Sequence, residues 1–237
     1  MAYTAVFIRH ENKYLISQEK YNAILPVIEK QMQPDSYGAA TIRNIYYDTP
    51  DYRLIRRSIE KPVYKEKLRL RSYGRGAEEV FVELKKKYRG IVYKRRIVMS
   101  EQEAIAWLKG SVSPPRHSQI VAEISYFLSY YKNLQPRLYL SYERQAYHSK
   151  ESPDLRITFD RNIRCRDYDL QIGKEPGGIS ILNENQVLME VKSAGGIPLW
   201  LAQLLSQHKI YRSSFSKYGT AYQTILFPKH KGVLFHA

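Results

Sequence analysis

Apolar and charged positions alternate over long stretches of this chain. In KLRLRSYG, Lys67, Arg69 and Arg71 alternate with Leu68 and Leu70, and FVELKKK places Glu83 and Lys85 in the same way. Successive side chains of a strand point to opposite faces, so each segment has one apolar and one charged face. The period recurs in VFIRHENKYLIS, with Phe7, Arg9, Glu11 and Lys13 on one side. In DLRITFD, Arg156, Thr158 and Asp160 alternate with Leu155, Ile157 and Phe159; in QVLMEVK, Glu190 and Lys192 alternate with Val187, Met189 and Val191. Further strands are predicted in ATIRNIYYD, ending near Asp48, in GIVYKRRIVMS and in PRLYLSYERQAY.

Helical spacing takes over in between. SQEKYNAILPVIEKQM reads as a helix capped by Ser17, and a short helix follows the Thr49-Pro50 turn and closes at Pro62. SEQEAIAWLKG carries Ser100 and Glu103 at capping-box spacing, a tyrosine-rich helix spans Gln119 to Lys132, and LWLAQLLSQH has Pro198 near its start. No internal repeat or low-complexity linker divides the chain. The pattern predicts one α+β domain over residues 1–237, an antiparallel sheet with helices packed on its outside.

Composition adds a partner to this picture. The 237 residues include 38 Lys and Arg against 23 Asp and Glu, a formal charge of +15. Such a balance calls for an anion: nucleic acid, anionic lipid or a polyphosphorylated small molecule, among which charge does not choose. The single cysteine, Cys165, excludes an intrachain disulfide or thiolate cluster and suits a reducing compartment. Its neighbours Arg164 and Arg166 predict a lowered thiol pKa, with no role assigned. The N-terminal apolar segment is too short for a signal peptide and no run reaches ~20 apolar residues, so the expectation is a soluble, cytoplasmic protein that meets the inner face of a membrane only through a partner. His117, His148 and His208 show no ligand spacing, and EPGG lacks the phosphate-loop pattern. Tyr126, Tyr130 and Tyr131 fall at helical spacing, which favours packing over base stacking.

For any one strand, a solvated face accounts for the charges. The triplet Lys67-Arg69-Arg71 changes that, because like charges at i and i+2 repel unless solvent or an anion neutralises them. A sheet closed into a barrel with its charged faces inward would line a channel for a polyanion and turn its apolar faces to the outer helices. Glu11, Glu83, Asp160 and Glu190 would then hold lysines in place or bind a divalent metal through oxygen. Phosphoryl transfer needs such an arrangement, in which cations and a metal fix the phosphates and take up transition-state charge.

The motifs ENKY, YYDT, KLRLRSYG, FVELKKK, YKRR, YERQAY, DLRITFD, LMEVK and SFSKYG occur in this order between Arg9 and Tyr222. Together they resemble the polyphosphate polymerase (VTC) domain, the catalytic domain of the eukaryotic vacuolar transporter chaperone complex and of stand-alone bacterial relatives, within the triphosphate tunnel metalloenzyme (CYTH-like) superfamily. The resemblance implies an antiparallel β-barrel forming a basic tunnel. It also implies transfer of the ATP γ-phosphoryl group to a growing polyphosphate chain with release of ADP, and a divalent metal, Mn²⁺ ahead of Mg²⁺. Lys13, Arg69, Arg71, Lys85 and Lys94 would contact phosphate from the N-terminal half, and Arg144 and Arg156 from the later strands. Glu190 would bind metal beside Lys192. Ser216 and Lys217 match the family's phosphate-binding Ser-Lys pair, with Lys217 expected at a tunnel mouth. Lys67 is a candidate wall residue, and Glu83 either binds metal or orients Lys85 or Arg69.

One departure matters. Triphosphatase branches open with Glu-x-Glu-x-Lys, whereas RHENK has Arg9 at the first position, which removes a metal-binding carboxylate and favours polymerase over hydrolase. The alternatives are a triphosphatase acting on tripolyphosphate or a nucleoside triphosphate, and a non-catalytic polyanion-binding module. Nucleic acid is not the expected partner. Vacuolar transport and inositol-phosphate sensing belong to other parts of the eukaryotic complex and are not expected of this chain. Its oligomeric state is not legible.

Overall fold

The computed structural model describes residues 6–7, 10–35, 38–74, 79–89, 91–114, 118–151 and 154–229; Arg9 and His117 lie outside these. The strands are β1 (Val6–Phe7), β2 (His10–Ser17), β3 (Met32–Pro34), β4 (Ala40–Asp48), β5 (Tyr64–Tyr73), β6 (Glu79–Tyr88), β7 (Ile91–Ser100), β8 (Gln135–Ser149), β9 (Arg156–Arg166), β10 (Ile179–Ser180) and β11 (Gln186–Ser193). They form one sheet in the order β1-β7-β6-β5-β4-β8-β9-β11-β2, with β3 added on β8 and β10 on β9. Every pairing is antiparallel.

The two ends of this path, β1 and β2, are neighbouring segments of one stretch of chain, so the sheet curls until its edges meet there. Among the described residues strand pairing leaves the path open, which corrects the expectation of a closed barrel. Across the seam the contact is between side chains, Lys85 of β6 standing 3.4 Å from Glu11 of β2.

The helices are α1 (Gln18–Gln31), α2 (Arg53–Ile59), α3 (Glu101–Leu108), α4 (Gln119–Tyr130), α5 (Leu199–Gln207) and α6 (Lys217–Ala221), which runs into a π-helical turn at Tyr222–Leu226. Local chemistry sets their starts. Ser17 accepts from the Lys20 amide, and Ser100 and Glu103 form a complete capping box. Asp48, fully buried at the end of β4, accepts from the Leu54 and Ile55 amides of α2 and from the Tyr218 hydroxyl, and so ties α6 to α2.

Three cores follow from the alternation. Leu68, Leu70, Val80, Val82 and Leu84 pack outward against Trp107, Ile124 and Phe127 of α3 and α4. Ile157, Phe159, Met189 and Val191 pack outward against Ile24 and Ile28 of α1 and Leu201 and Leu204 of α5. Each such side chain contributes about 1.5–3 kcal/mol by leaving water. The third core lies on the other, concave face, where Tyr46, Leu138, Leu140 and Leu188 cover Tyr218, Tyr222 and Leu226. The chain's last described helix therefore fills part of the concavity that the charged faces line.

Candidate functional site

Residues directly opposite in a sheet share a face, and so do residues two apart on one strand. Lys67 pairs with Lys85 and Lys85 with Lys94; Arg69 pairs with Glu83, and Arg71 with Asn44 and Phe81. Further round, Arg144 pairs with Asp160, Glu190 with Lys13 and Thr158, and Lys192 with Glu11 and Arg156. The predicted site residues of the strands thus lie on one concave face, where the side chains gather around two carboxylate centres.

Glu83 is the first centre. It is 1% exposed and receives Arg69 at 2.6 Å and Lys94 at 2.5 Å, with Arg71 at 3.8 Å. Burial alone would raise its pKa, but Arg69, Arg71 and Lys94 outweigh that and hold the carboxyl well below its usual range. Arg71 is braced besides by Asn44 Oδ1 at 2.9 Å and the Tyr142 hydroxyl at 3.2 Å, while Arg69 reaches the Tyr46 hydroxyl at 3.3 Å. Lys94 is pushed down to about 7 by burial, against the pull of Glu83 and with the push of Arg69 and Arg71.

Asp160 and Glu190 make the second. Arg144 donates both arms of its guanidinium to Asp160, at 2.6 and 2.7 Å, and lies 3.4 Å from Glu190. Lys217 of α6 stands 2.5 Å from Asp160 and 3.0 Å from Glu190, and Lys13 and Lys192 each come within 3.7 Å of Glu190. Burial opposes ionisation of Glu190, yet Lys217, Lys192 and Arg144 drive its pKa well down. The Lys217 ammonium is shifted upward in turn, with Asp160 and Glu190 overcoming the cost of burial. Lys217 is therefore a buried tie between helix and sheet, not the tunnel-mouth residue that its place in SFSKYG predicts.

Between the centres the charge is less balanced. Lys67 has no carboxylate partner among the described residues; its ammonium donates to Ser216 Oγ at 3.3 Å, and Ser216 caps α6. Burial and the nearby Lys85, Lys13, Lys65 and Arg69 push it down to about 7. Lys192 is held down to about 8 by burial despite Glu190 and Glu11. Glu11, whose burial would raise it, is brought to about 2 by Lys85, Lys192 and Lys13.

Arg156 is not gathered in. Its guanidinium turns to Asp35 at 2.5 Å and its side chain is 44% exposed, which places it on the rim. Asn44, Tyr46 and Tyr142 brace the arginines and are not among the predicted site residues; Tyr142 stands two residues before Arg144 in YLSYER, which was the available signal, whereas Asn44 and Tyr46 reach this face through strand pairing with Arg71 and Arg69. Cys165 departs from expectation: burial pushes its thiol up to about 12. Its flanking arginines point to the opposite side of the strand, Arg164 to the Gly178 carbonyl and Arg166 over the Tyr139 ring.

The VTC domain family model matches residues 8–226. The chain belongs to the VTC domain family. Among solved structures, a candidate adenylate cyclase from Bacillus halodurans resembles this VTC domain over 90% of its chain and 96% of the other, with a TM-score of 0.57 at 18% identity. At that identity the likeness is one of fold. A candidate adenylate cyclase from Vibrio parahaemolyticus is similar at a TM-score of 0.47 and 13% identity, covering 90% of this chain and 97% of its own. The PH1819 protein of Pyrococcus horikoshii OT3 follows at 0.45 and 14%, covering 94% and 99%. No curated protein sequence matches significantly. No helix among the described residues is long and apolar enough to cross a membrane.

Proposed function

We propose that this VTC domain is a polyphosphate polymerase, transferring the γ-phosphoryl group of ATP to the end of an inorganic polyphosphate chain and releasing ADP. The observation that carries the reading is the excess of cations over carboxylates on the concave face, with Lys67 crowded by other cations and facing no carboxylate among the described residues. A phosphate chain would relieve that repulsion. Family membership supports a phosphate ligand over other anions.

Among the described residues no three His, Cys, Asp or Glu converge on one point, so no all-protein metal cage exists there. A Mn²⁺ or Mg²⁺ ion held by one or two carboxylates and completed by phosphate oxygens still fits, because Glu190 is ionised and supplies a hard oxygen. Glu83 is held more tightly, by Arg69 at 2.6 Å and Lys94 at 2.5 Å, whereas the four cations around Glu190 stand 3.0 to 3.7 Å away. When bound, the ion would neutralise phosphate charge.

The protein's own residues account for the remaining chemistry. An oxygen of the chain's terminal phosphate forms the new bond to the γ-phosphorus, the bond to the β–γ bridging oxygen breaks, and its electron pair leaves on ADP. No covalent protein nucleophile is needed. Arg69, Arg71, Lys94 and Arg144 are held by their carboxylate and tyrosine partners before substrate arrives, so alignment costs no reorganisation at the moment of transfer. Lys13, Lys67, Lys85, Lys192 and Ser216 offer further donors along the path, and Arg156 on the rim would meet the passing chain. The test is to incubate the protein with ATP and Mn²⁺ and follow ADP, free phosphate and polymer in one sample. ADP and long-chain polymer rising together are expected; free phosphate without polymer would identify a triphosphatase, and no turnover a binding module.

A further inference from the structure

The two ends of the β5–β6 pair differ on the concave face. Toward the β6–β7 turn this face carries only lysines, Lys65 opposite Lys87 and Lys67 opposite Lys85. Toward the β5–β6 hairpin it carries Phe81, opposite Arg71, and Tyr73, two residues beyond Arg71. Their rings meet edge-on, with centroids 5.5 Å apart. Tyr73 is 42% exposed although it lies beside buried Ile42 in the sheet. Arg71 lies 5.7 Å from the Tyr73 ring and donates to its hydroxyl at 3.3 Å, and Arg96 lies 5.2 Å over Phe81.

Aromatic rings are poor walls for a phosphate chain. A ring face carries negative quadrupole density and offers an anion nothing. It suits a flat, neutral heterocycle, and base–ring stacking is worth ~1–3 kcal/mol whatever the base. Arg71 joins this pair to the phosphate cations, since the same guanidinium touches Tyr73 and approaches Glu83. At a rise of about 3.3 Å per residue, Tyr73 stands about 7 Å along the strand from Arg71.

We infer that Tyr73 and Phe81 form the site for the nucleobase of the phosphoryl donor, which gives the face a direction: nucleotide at the aromatic end, polymer toward the lysine end. This rests on the polymerase reading, in which the donor is a nucleoside triphosphate. Calorimetric affinities for ATP and for inorganic tripolyphosphate, at one fixed salt and Mg²⁺ concentration, separate the two. Tyr73→Leu and Phe81→Leu are each expected to weaken ATP about 10-fold and tripolyphosphate by less than about twofold, whereas Tyr73→Phe keeps ATP affinity. Equal weakening of both ligands, or no change in either, overturns the base site and leaves the phosphate site standing. Binding of neither ligand by the unaltered protein overturns both readings.

Discussion

The two carboxylate centres of the concave face hold similar residues in different proportions. At Glu83 one carboxylate serves Arg69, Lys94 and Arg71, so the centre keeps positive charge in reserve. At Asp160 and Glu190 two carboxylates hold two cations in close contact, Arg144 and Lys217, so the charges that touch are balanced; Lys13 and Lys192 stand further off, 3.7 Å from Glu190, and Lys13 is shared with Glu11. On the proposed reading, the first is an anion site prepared in advance. The second is a tie that fastens α6 to the sheet and offers Glu190 to a cation. Removing one member of a buried ion cluster costs far more than the cluster contributes as a whole, because the group left behind stays charged and unsolvated.

That difference predicts opposite responses to ligand. The largest effect is expected for Lys217→Met, which leaves Asp160 and Glu190 with Arg144 as their one close cation and Lys13 and Lys192 at 3.7 Å from Glu190: a loss of about 3 kcal/mol in urea unfolding, with polymer synthesis gone. Glu83→Gln should cost less, about 2 kcal/mol, since its cations are nearer water and an anion can replace the lost charge. Tripolyphosphate should raise the melting temperature of this variant by more than it raises that of the unaltered protein.

The charge reserve also has a pH signature. Lys67 faces Lys85 of β6, Lys13 of β2, Lys65 and Arg69 of β5, and Ser216 and the Tyr218 ring of α6. Its pKa falls from 10.5 unfolded to about 7 folded, so between these values the unfolded chain holds a proton that the folded site has shed. Stability from this group therefore rises with pH across that window, and is lowest below about pH 7. Phosphate reverses the shift, so binding near pH 8 should take up protons and weaken as pH rises. Calorimetry in two buffers of different ionisation enthalpy measures the uptake, and Lys67→Met should reduce it. The smallest effect is expected at the lysine end, where Lys65→Ala with Lys87→Ala should weaken long-chain polyphosphate about threefold and leave tripolyphosphate nearly unchanged.

The first centre was largely legible in the sequence and the second only in part, for a physical reason. Arg69, Glu83 and Lys94 belong to consecutive antiparallel strands, so alternation and hairpin order bring them together. Arg144 and Asp160 likewise face each other on consecutive strands, but Glu190 and Lys217 join them from β11 and α6, further along the chain, and periodicity carries no information about those contacts. SFSKYG has no apolar period long enough to reveal α6, whose burial comes from the concave leucines and tyrosines. Alternation correctly puts Arg156 on the charged face, but Asp35 turns its guanidinium aside. The α+β fold, its outer helices and their caps followed directly from residue spacing, whereas whether the sheet closes depended on strand pairing across the seam.

The most direct measurement is the melting temperature of Glu83→Gln and Lys217→Met with and without tripolyphosphate. Added phosphate should stabilise the first beyond the unaltered protein, by replacing the missing negative charge, and should stabilise the second by less than the unaltered protein, because the cations at Glu83 still bind it while Asp160 and Glu190 have lost their closest cation. Equal shifts in both variants would contradict the account, because the two centres would then not differ in the charge they hold for a ligand.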